Sequence, residues 1–301
     1  MKYNLNIIFW FVIASCFCVP TLRAQEDGDF RDKEFIIHGG FGLSALSYSP
    51  TIGKLENGFG GQFGVSYRLG LSMYSSTWSL LMGTEVAFYK ASFSLDNLET
   101  FSDVRYIDAG IPNVTGSFQF QNTITTYKET QSTMLLQIPL MLQFQTENHN
   151  SLDFYFAFGG KFGLPLSGKS KSSATSVKNV GDMKYYNATP DEQRFMGFDT
   201  FGDVERENKL DFNMAVLASV ETGLKLTFDA MSLYLGIYLD YGLTNIQPKD
   251  QKSFIQYNPD NPRDFFVNSV TESTFMQNNT SSPITEKIIP MTIGFKVKLG
   301  F

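Results

Sequence analysis

Ile288-Ile289-Pro290-Met291-Thr292-Ile293-Gly294-Phe295-Lys296-Val297-Lys298-Leu299-Gly300-Phe301 closes the chain, and its reading decides the fold. From Ile289 every second residue is apolar: Ile289, Met291, Ile293, Phe295, Val297, Leu299 and Phe301. Thr292, Gly294, Lys296, Lys298 and Gly300 stand between them. Successive side chains of a strand point to opposite faces, so this is a strand with one apolar and one polar face. In a soluble sheet the apolar face meets a second sheet. In a transmembrane barrel it meets lipid, and the polar face lines the interior.

The alternation recurs upstream and predicts eight strands. The first, about 35–48, sets Phe35, Ile37, Phe41 and Leu43 outward against His38, Gly40, Gly42 and Ser44. The second, about 60–74, sets Phe63, Val65, Tyr67, Leu69, Leu71 and Met73 against Gln62, Ser66, Arg68 and Ser72. The third, from Trp78, faces Leu80, Met82, Val86 and Phe88 outward and Glu85 and Tyr89 inward. In the fourth, Met134 to Phe144 alternate with Gln137, Pro139, Gln143 and Gln145. Pro139 cannot donate to a ladder, so it predicts a bulge or a locally unpaired amide. The fifth opposes Phe154, Phe156, Phe158, Phe162 and Leu164 to Asp153, Tyr155, Lys161 and Ser167. The sixth opposes Leu210, Phe212, Met214, Val216, Val220, Leu224 and Leu226 to Asp211, Asn213, Ser219, Glu221 and Lys225. The seventh opposes Leu233, Leu235, Ile237, Leu239 and Leu243 to Tyr234, Tyr238 and Asp240.

Connections after the second, fourth and sixth strands are short: Ser75–Thr77, Glu147–Ser151 and Asp229–Ala230. Long polar stretches run over about 95–127, 168–208 and 245–286. An even strand count with this asymmetry predicts an all-β, eight-stranded antiparallel up-and-down transmembrane barrel. It has short periplasmic turns, long extracellular loops and both termini in the periplasm. Several strands exceed the roughly 9–11 residues that cross a bilayer, so they should project above it.

The N-terminus agrees. Met1-Lys2, an apolar run from Leu5 to Val19, and Pro20-Thr21-Leu22-Arg23-Ala24 before Gln25 read as a signal peptide cleaved between Ala24 and Gln25. Ile13-Ala14-Ser15-Cys16 is the competing reading, a lipidation site at Cys16. The domain reading is thus 1–24 signal, 25–34 periplasmic leader and 35–301 barrel. Both cysteines, Cys16 and Cys18, lie in the signal. Cleavage after Ala24 therefore leaves no thiol for a disulfide, a metal or nucleophilic catalysis. The signal holds Lys2 and Arg23 and no acid, so the mature chain is more negative than the formal −6 of the whole chain. That argues against nucleic acid as a partner. A mean hydropathy of −0.12 is compatible with a barrel, because only alternate strand residues need be apolar.

With these segments in place the chain resembles the Bacteroidetes outer-membrane β-barrel proteins, the PorT-like group in particular. The likeness is carried by Leu136-Gln137-Ile138-Pro139-Leu140-Met141-Leu142, by Phe154-Tyr155-Phe156-Ala157-Phe158-Gly159-Gly160-Lys161-Phe162-Gly163-Leu164, by export before Gln25 and by terminal Gly300-Phe301. The resemblance implies an integral outer-membrane protein in contact with outer-membrane lipid. It implies Phe301 as a C-terminal signal read by the barrel-assembly machinery. It supplies no catalytic residue, cofactor or metal ligand.

The inward charges form a predicted interior polar network of Arg68, Glu85, Lys161, Asp211, Glu221, Lys225, Asp240 and Lys296, with Lys298 on the same face. Arg68 and Glu85 should sit opposite one another across the hairpin at Ser75–Thr77. An eight-stranded barrel is just wide enough for its own side chains to fill, which favours a packed plug over an open pore. His38 is the only histidine on a predicted strand and reads as a satisfied interior group; His149 reads as solvated. Gly58-Phe59-Gly60-Gly61-Gln62-Phe63-Gly64 lacks the spacing of a nucleotide loop. Asn258-Pro259-Asp260-Asn261-Pro262-Arg263-Asp264 lacks the spacing and the glutamate of a calcium loop. The sequons at Asn187 and Asn279 mean little in a bacterial protein. Tyr185-Tyr186, Phe265-Phe266 and Phe275 could anchor a partner or pin the loops to each other. The reading is a non-enzymatic structural or surface-interaction protein acting through its long loops, on a surface ligand or protein. The alternatives are a small pore or ligand carrier and, after it, a barrel-embedded hydrolase.

Overall fold

The computed structural model describes residues 33–301 apart from 72–77, 109–114, 147–151, 184–188, 190, 192–193, 229–230, 262 and 278–279, and apart from the side chains of 103–108, 115 and 277. The export signal with Ala24 and Gln25, the three short turns, His149, Tyr185-Tyr186 and both sequon asparagines lie outside the described residues.

In chain order the strands are β1 (Lys33–Ser47), β2 (Lys54–Leu71), β3 (Trp78–Asp108), β4 (Thr115–Gln145), β5 (Leu152–Asp182), the short β6 (Asp199–Phe201) and β7 (Val204–Lys209), β8 (Ala215–Thr227), β9 (Ser232–Gly242), the short β10 (Lys252–Ser253), β11 (Ile255–Tyr257), β12 (Phe265–Val267), β13 (Ser273–Gln277) and β14 (Thr280–Pro283), and β15 (Ile289–Gly300). Eight of them close a ring, β1-β2-β3-β4-β5-β8-β9-β15, each antiparallel to the next. β15 returns to β1 with Ile36 opposite Gly300, and beyond that pair Phe35 and Phe301 exchange backbone hydrogen bonds of 3.0 and 2.8 Å. The last residue thus completes the seam, and the predicted up-and-down barrel is the fold.

The outer face of the ring is apolar over a limited height. On β3 the outward apolar residues run from Trp78 to Phe88 and on β4 from Met134 to Phe144. Each run is eleven residues, about the length that crosses a bilayer on a tilted strand. Trp78 and Phe144 meet edge to face at 5.4 Å at the end that carries the termini, in the manner of an interfacial aromatic girdle.

Beyond Phe88 and Met134 the strands continue but the polarity inverts. On β3 the outward positions become Lys90, Ser92 and Ser94, while Ala91, Phe93 and Leu95 turn inward and are buried. On β4 Phe118, Phe120, Ile124 and Tyr127 are inward, and on β5 Ala174 and Val177. Each strand keeps its period of two, but the apolar residues move to the other face because water replaces lipid outside. This corrects the sequence reading of 95–127 and 168–208 as loops: β3 runs to Asp108, β4 starts at Thr115 and β5 runs to Asp182. At roughly 3.3 Å per residue these strands are about 100 Å long. One row of the wall is irregular. Asn97 and Ser176 take left-handed φ of 52° and 54°, and the inward phase steps by one residue there on β3, β4 and β5.

The third long stretch is also structured. β10, β13 and β14 form one small sheet and β11 and β12 another. Together they fill the concave side of the far-end wall. Tyr257 packs edge to face on Phe118 and Phe120 at 5.2 and 5.4 Å, and Phe254 packs on Tyr127 at 4.9 Å. Phe265 and Phe275, candidates for exposed anchors, are buried in this core, whereas Phe266 is exposed.

Four local expectations change. Of the two expectations at Pro139 the bulge does not form, since the β3–β4 register is the same on both sides, but pairing with β3 is interrupted there, between Met82 facing Leu140 and Glu85 facing Gln137. The bulge lies on β5, between the pairs Met134–Ser167 and Leu135–Pro165, and it turns Ser167 outward. Leu210 and Phe212 are buried, not outward, because 210–214 is not strand and the alternation begins afresh at Ala215. Finally β1 begins at Lys33, taking Lys33 and Glu34 from the expected leader.

Leu140 lies near the middle of the lipid-facing run of β4, and Thr123 is outward on its far-end half. Leu140→Arg should cost about 2–4 kcal/mol of unfolding free energy in lipid vesicles. Thr123→Arg should stay within about 0.5 kcal/mol. Equal costs would place the apolar belt elsewhere.

Candidate functional site

The inward face of the lipid-spanning zone carries a network of charges with almost no access to solvent. Near the terminal end, Glu34 is the hub. Its Oε2 accepts from Arg68 Nε at 2.7 Å and from the Tyr234 hydroxyl at 2.6 Å, with Lys225 Nζ at 3.7 Å. In the next layer Glu221 Oε1 accepts from the Tyr155 hydroxyl at 2.8 Å and pairs with Lys298. Lys298 also lies 4.7 Å from the centre of the Tyr155 ring. Lys296 bridges upward, 3.4 Å from Glu221 and 3.6 Å from Glu85. In the upper layer Lys161 Nζ donates to Glu85 at 2.5 Å, Asp240 at 2.8 Å and Gln62 at 3.2 Å. The second oxygen of Asp240 accepts from Ser219 at 2.6 Å.

The sequence makes room for these long side chains. Lys296 is flanked across both ladders by glycine, Gly40 on β1 and Gly236 on β9. A Cβ at Gly40 would lie 3.0 Å from the Tyr238 ring. The network is therefore held by strand register, each pair drawing its partners from different strands.

Of the predicted network, Arg68, Glu85, Lys161, Glu221, Lys225, Asp240 and Lys296 lie buried inside the ring. Asp211 does not. Its side chain is 86% exposed, 3.5 Å from Lys209, because it precedes the point where β8 begins to alternate. Nor do Arg68 and Glu85 meet. Arg68 faces Leu81 and Glu85 faces Gly64, four residues apart along β2. The β2–β3 register pairs Leu71 with Trp78, which sets Arg68 and Glu85 in different rows, and Arg68 takes Glu34 instead. Glu34 was assigned to the leader, yet it shares a face with Ile36 and His38, so extending the alternation by two residues finds it.

His38 Nε2 lies 3.0 Å from Ser66 Oγ, and Nδ1 lies 3.9 Å from Glu85 Oε2. This is the order of a serine–histidine–acid relay. Its geometry is that of a buried structural contact: Ser66 is 6% exposed and Glu85 is committed to Lys161 and Lys296.

A second buried carboxylate stands outside the lipid-facing zone. Glu129, five residues beyond Met134 on β4, accepts from the Tyr127 hydroxyl at 2.6 Å, the Val270 amide at 3.0 Å, Gln131 Nε2 at 3.2 Å and the Ser269 hydroxyl. It thereby ties the β12–β13 segment to the wall. Burial outweighs these hydrogen bonds and holds its carboxyl above the ordinary value. It was missed because it falls between the stretch read as loop, which ends at about 127, and the strand read from Met134. Among the described residues no cluster of histidine, cysteine and carboxylates could hold a metal.

The sequence profile of the outer membrane protein beta-barrel domain matches residues 23–247. The chain belongs to that family. The match ends before β15, which the structure places between β9 and β1. Among solved structures the chain is similar to Neisserial surface protein A, at 8% identity over 89% of this chain and 97% of that one, with a TM-score of 0.33. It is also similar to Ail, the attachment invasion locus protein of Yersinia pestis, solved in complex with the heparin analogue sucrose octasulfate. That match has 10% identity over 90% of this chain and 99% of that one, with a TM-score of 0.25. No curated protein matches.

Removing the hub carboxylate leaves buried cations uncompensated. Glu34→Ala should cost this family member about 3–5 kcal/mol in denaturant unfolding. Asp211→Ala should leave the unfolding midpoint where it is; the reverse order would reject the described register. Glu129 gives a pH test. A carboxyl raised above 4.5 in the folded state opposes packing when it ionises. Its contribution is therefore greatest below that value and is lost as pH rises through the raised one. Glu129→Gln should flatten the pH dependence of the Val270 amide protection factor. An unchanged slope would assign the effect to other groups.

Proposed function

We propose that the chain is a non-enzymatic integral protein of the bacterial outer membrane whose far-end structure presents a binding surface outside the cell, with both termini periplasmic. The observation that carries this reading is the filled lumen. Glu85, Lys161, Glu221, Asp240 and Lys298 are 0–2% exposed, although all five point into the space that a channel would occupy. An open pore would leave its charged lining wet. The Ser66–His38–Glu85 alignment supports the hydrolase alternative in its order of groups, and the same burial opposes it.

The far-end wall and its cap, by contrast, form a body with its own aromatic core standing off the membrane. Sidedness is inferred from connection length. The terminal-end connections, 72–77, 146–151 and 228–231, are all short, whereas two of the four at the other end carry β6 and β7 and β10–β14, an asymmetry in the sense of outer-membrane barrels.

Planar bilayers containing the protein should show no steady single-channel steps, and Ser66 should take no label from a fluorophosphonate probe. Stable conductance favours the pore, and labelling at Ser66 favours the hydrolase. An epitope inserted at Gly202, which has open space around it, should be reached by antibody on intact cells. Detection only after permeabilisation reverses the orientation.

A further inference from the structure

Directly above the lipid-facing band, the outward face of the wall carries a strip of lysines and hydroxyls. Strand pairing sets Lys90, Ser132, Lys169 and Lys209 in one row across β3, β4, β5 and β7. The next row is Ser92, Thr130, Lys171 and Glu207, and the one above it Ser94, Lys128, Ser173 and Glu205. The row beneath begins with Phe88 and Met134, the last lipid-facing apolar residues of their strands. The strip is therefore continuous with the lipid face.

Height and charge identify the occupant. Each row rises about 5 Å on a strand tilted by ~45°, and the headgroup zone extends roughly 5–8 Å beyond the hydrocarbon. The lowest row and part of the second fall within that zone. Glu207 lies 3.2 Å from Lys169 and 3.7 Å from Lys171, and Asp211 lies 3.5 Å from Lys209, all on exposed side chains. Such pairs exchange readily for a better anion. Among the described residues Lys90 and Lys128 have no carboxylate within ion-pair distance. A depression of about 430 Å³ lies between Lys128, Lys171, Arg206, Ser173, Glu205 and Glu207. The chain as a whole is acidic, at −6, so lysines concentrated here do not follow from composition.

We propose that this strip binds the phosphorylated headgroups of the lipid leaflet around the far rim. Lysine stems lie along apolar surface while their ammonium groups reach phosphoryl oxygens, and the serine and threonine hydroxyls donate to the remaining oxygens. The inference rests on the membrane reading above, and which leaflet is engaged rests on the proposed orientation. Binding in a bilayer whose two leaflets are identical separates the two questions.

The test uses the full chain in phosphatidylcholine nanodiscs, titrated with fluorescent diphosphoryl lipid A. A basic residue near an anionic surface is worth about fivefold in affinity. K90Q/K169Q/K171Q should thus bind about 100-fold more weakly and K171Q alone about fivefold, each with the heat-modifiable gel migration of a folded barrel. Lys178→Gln, whose lysine pairs with Asp191 higher on the wall, should bind as the parent does. Equal affinity of parent and triple variant overturns the proposal, as does an equal loss in the Lys178 variant. Displacement of the lipid by equimolar inorganic phosphate also overturns it, since it would show a site for the free ion.

Discussion

A charge enclosed in a space too narrow for water must find its counter-charge on a neighbouring strand, and this requirement governs the barrel. Lys161 of β5 joins Glu85 of β3 to Asp240 of β9, and Lys296 of β15 joins Glu85 to Glu221 of β8. These bonds cross the lumen, so they fix how the strands stand relative to one another. A one-residue slip of any strand would turn its charges into lipid and its apolar side chains into the network. An isolated buried ion pair gives little net stability, because desolvation offsets the attraction. What such a network does give is a single register, since every alternative leaves a carboxylate or an ammonium bare.

The same alternation serves two solvents along a single strand. Below Phe88 and Met134 the outward positions are apolar and the inward ones carry the charges beside a small apolar cluster of Ile36, Leu81, Met141 and Ala157; above them the outward positions turn polar and the inward ones mostly apolar. No change of backbone is needed at the crossing, only a change in which face meets water. The far-end wall can therefore be an uninterrupted extension of the membrane strands, and it carries the stiffness of the ring into solvent. The cap segment supplies what the wall lacks. Its apolar residues cover the concave face and leave charged side chains such as Lys128 and Lys171 outside.

The barrel was legible because lipid forces a long, uniform period-two signal, as in the run from Ile289 to Phe301. The inward charges were legible for the same reason, wherever the strand phase was unbroken. Asp211 was misplaced because the alternation runs unbroken in the sequence through 210–214, while the backbone there is not strand. The far-end strands were misread as loops because a polar outward face with serine, threonine and lysine has the composition of a loop; its inward residues Phe93, Phe118, Phe120 and Tyr127 were the missed signal. Partners across the lumen were not legible at all. Arg68 finds Glu34, across the β1–β2 pair, and sequence periodicity assigns a face without assigning a neighbour.

These constraints distribute function over the molecule. Inside the ring the charges of Glu85, Lys161, Glu221, Asp240, Lys296 and Lys298 are held by one another, while amide atoms of Gln62, Gln137 and Gln143 and the Tyr238 hydroxyl are buried without a hydrogen-bond partner. At the lipid face the side chains are apolar and interchangeable. Among the described residues the exposed far-end surface carries loose ion pairs, such as Lys169–Glu207, and hydroxyls that face solvent. Its lowest rows meet the membrane and its upper rows do not. On the proposed reading a single wall thus presents two surfaces at different heights, one matched to the leaflet that surrounds it and the other facing solvent beyond it.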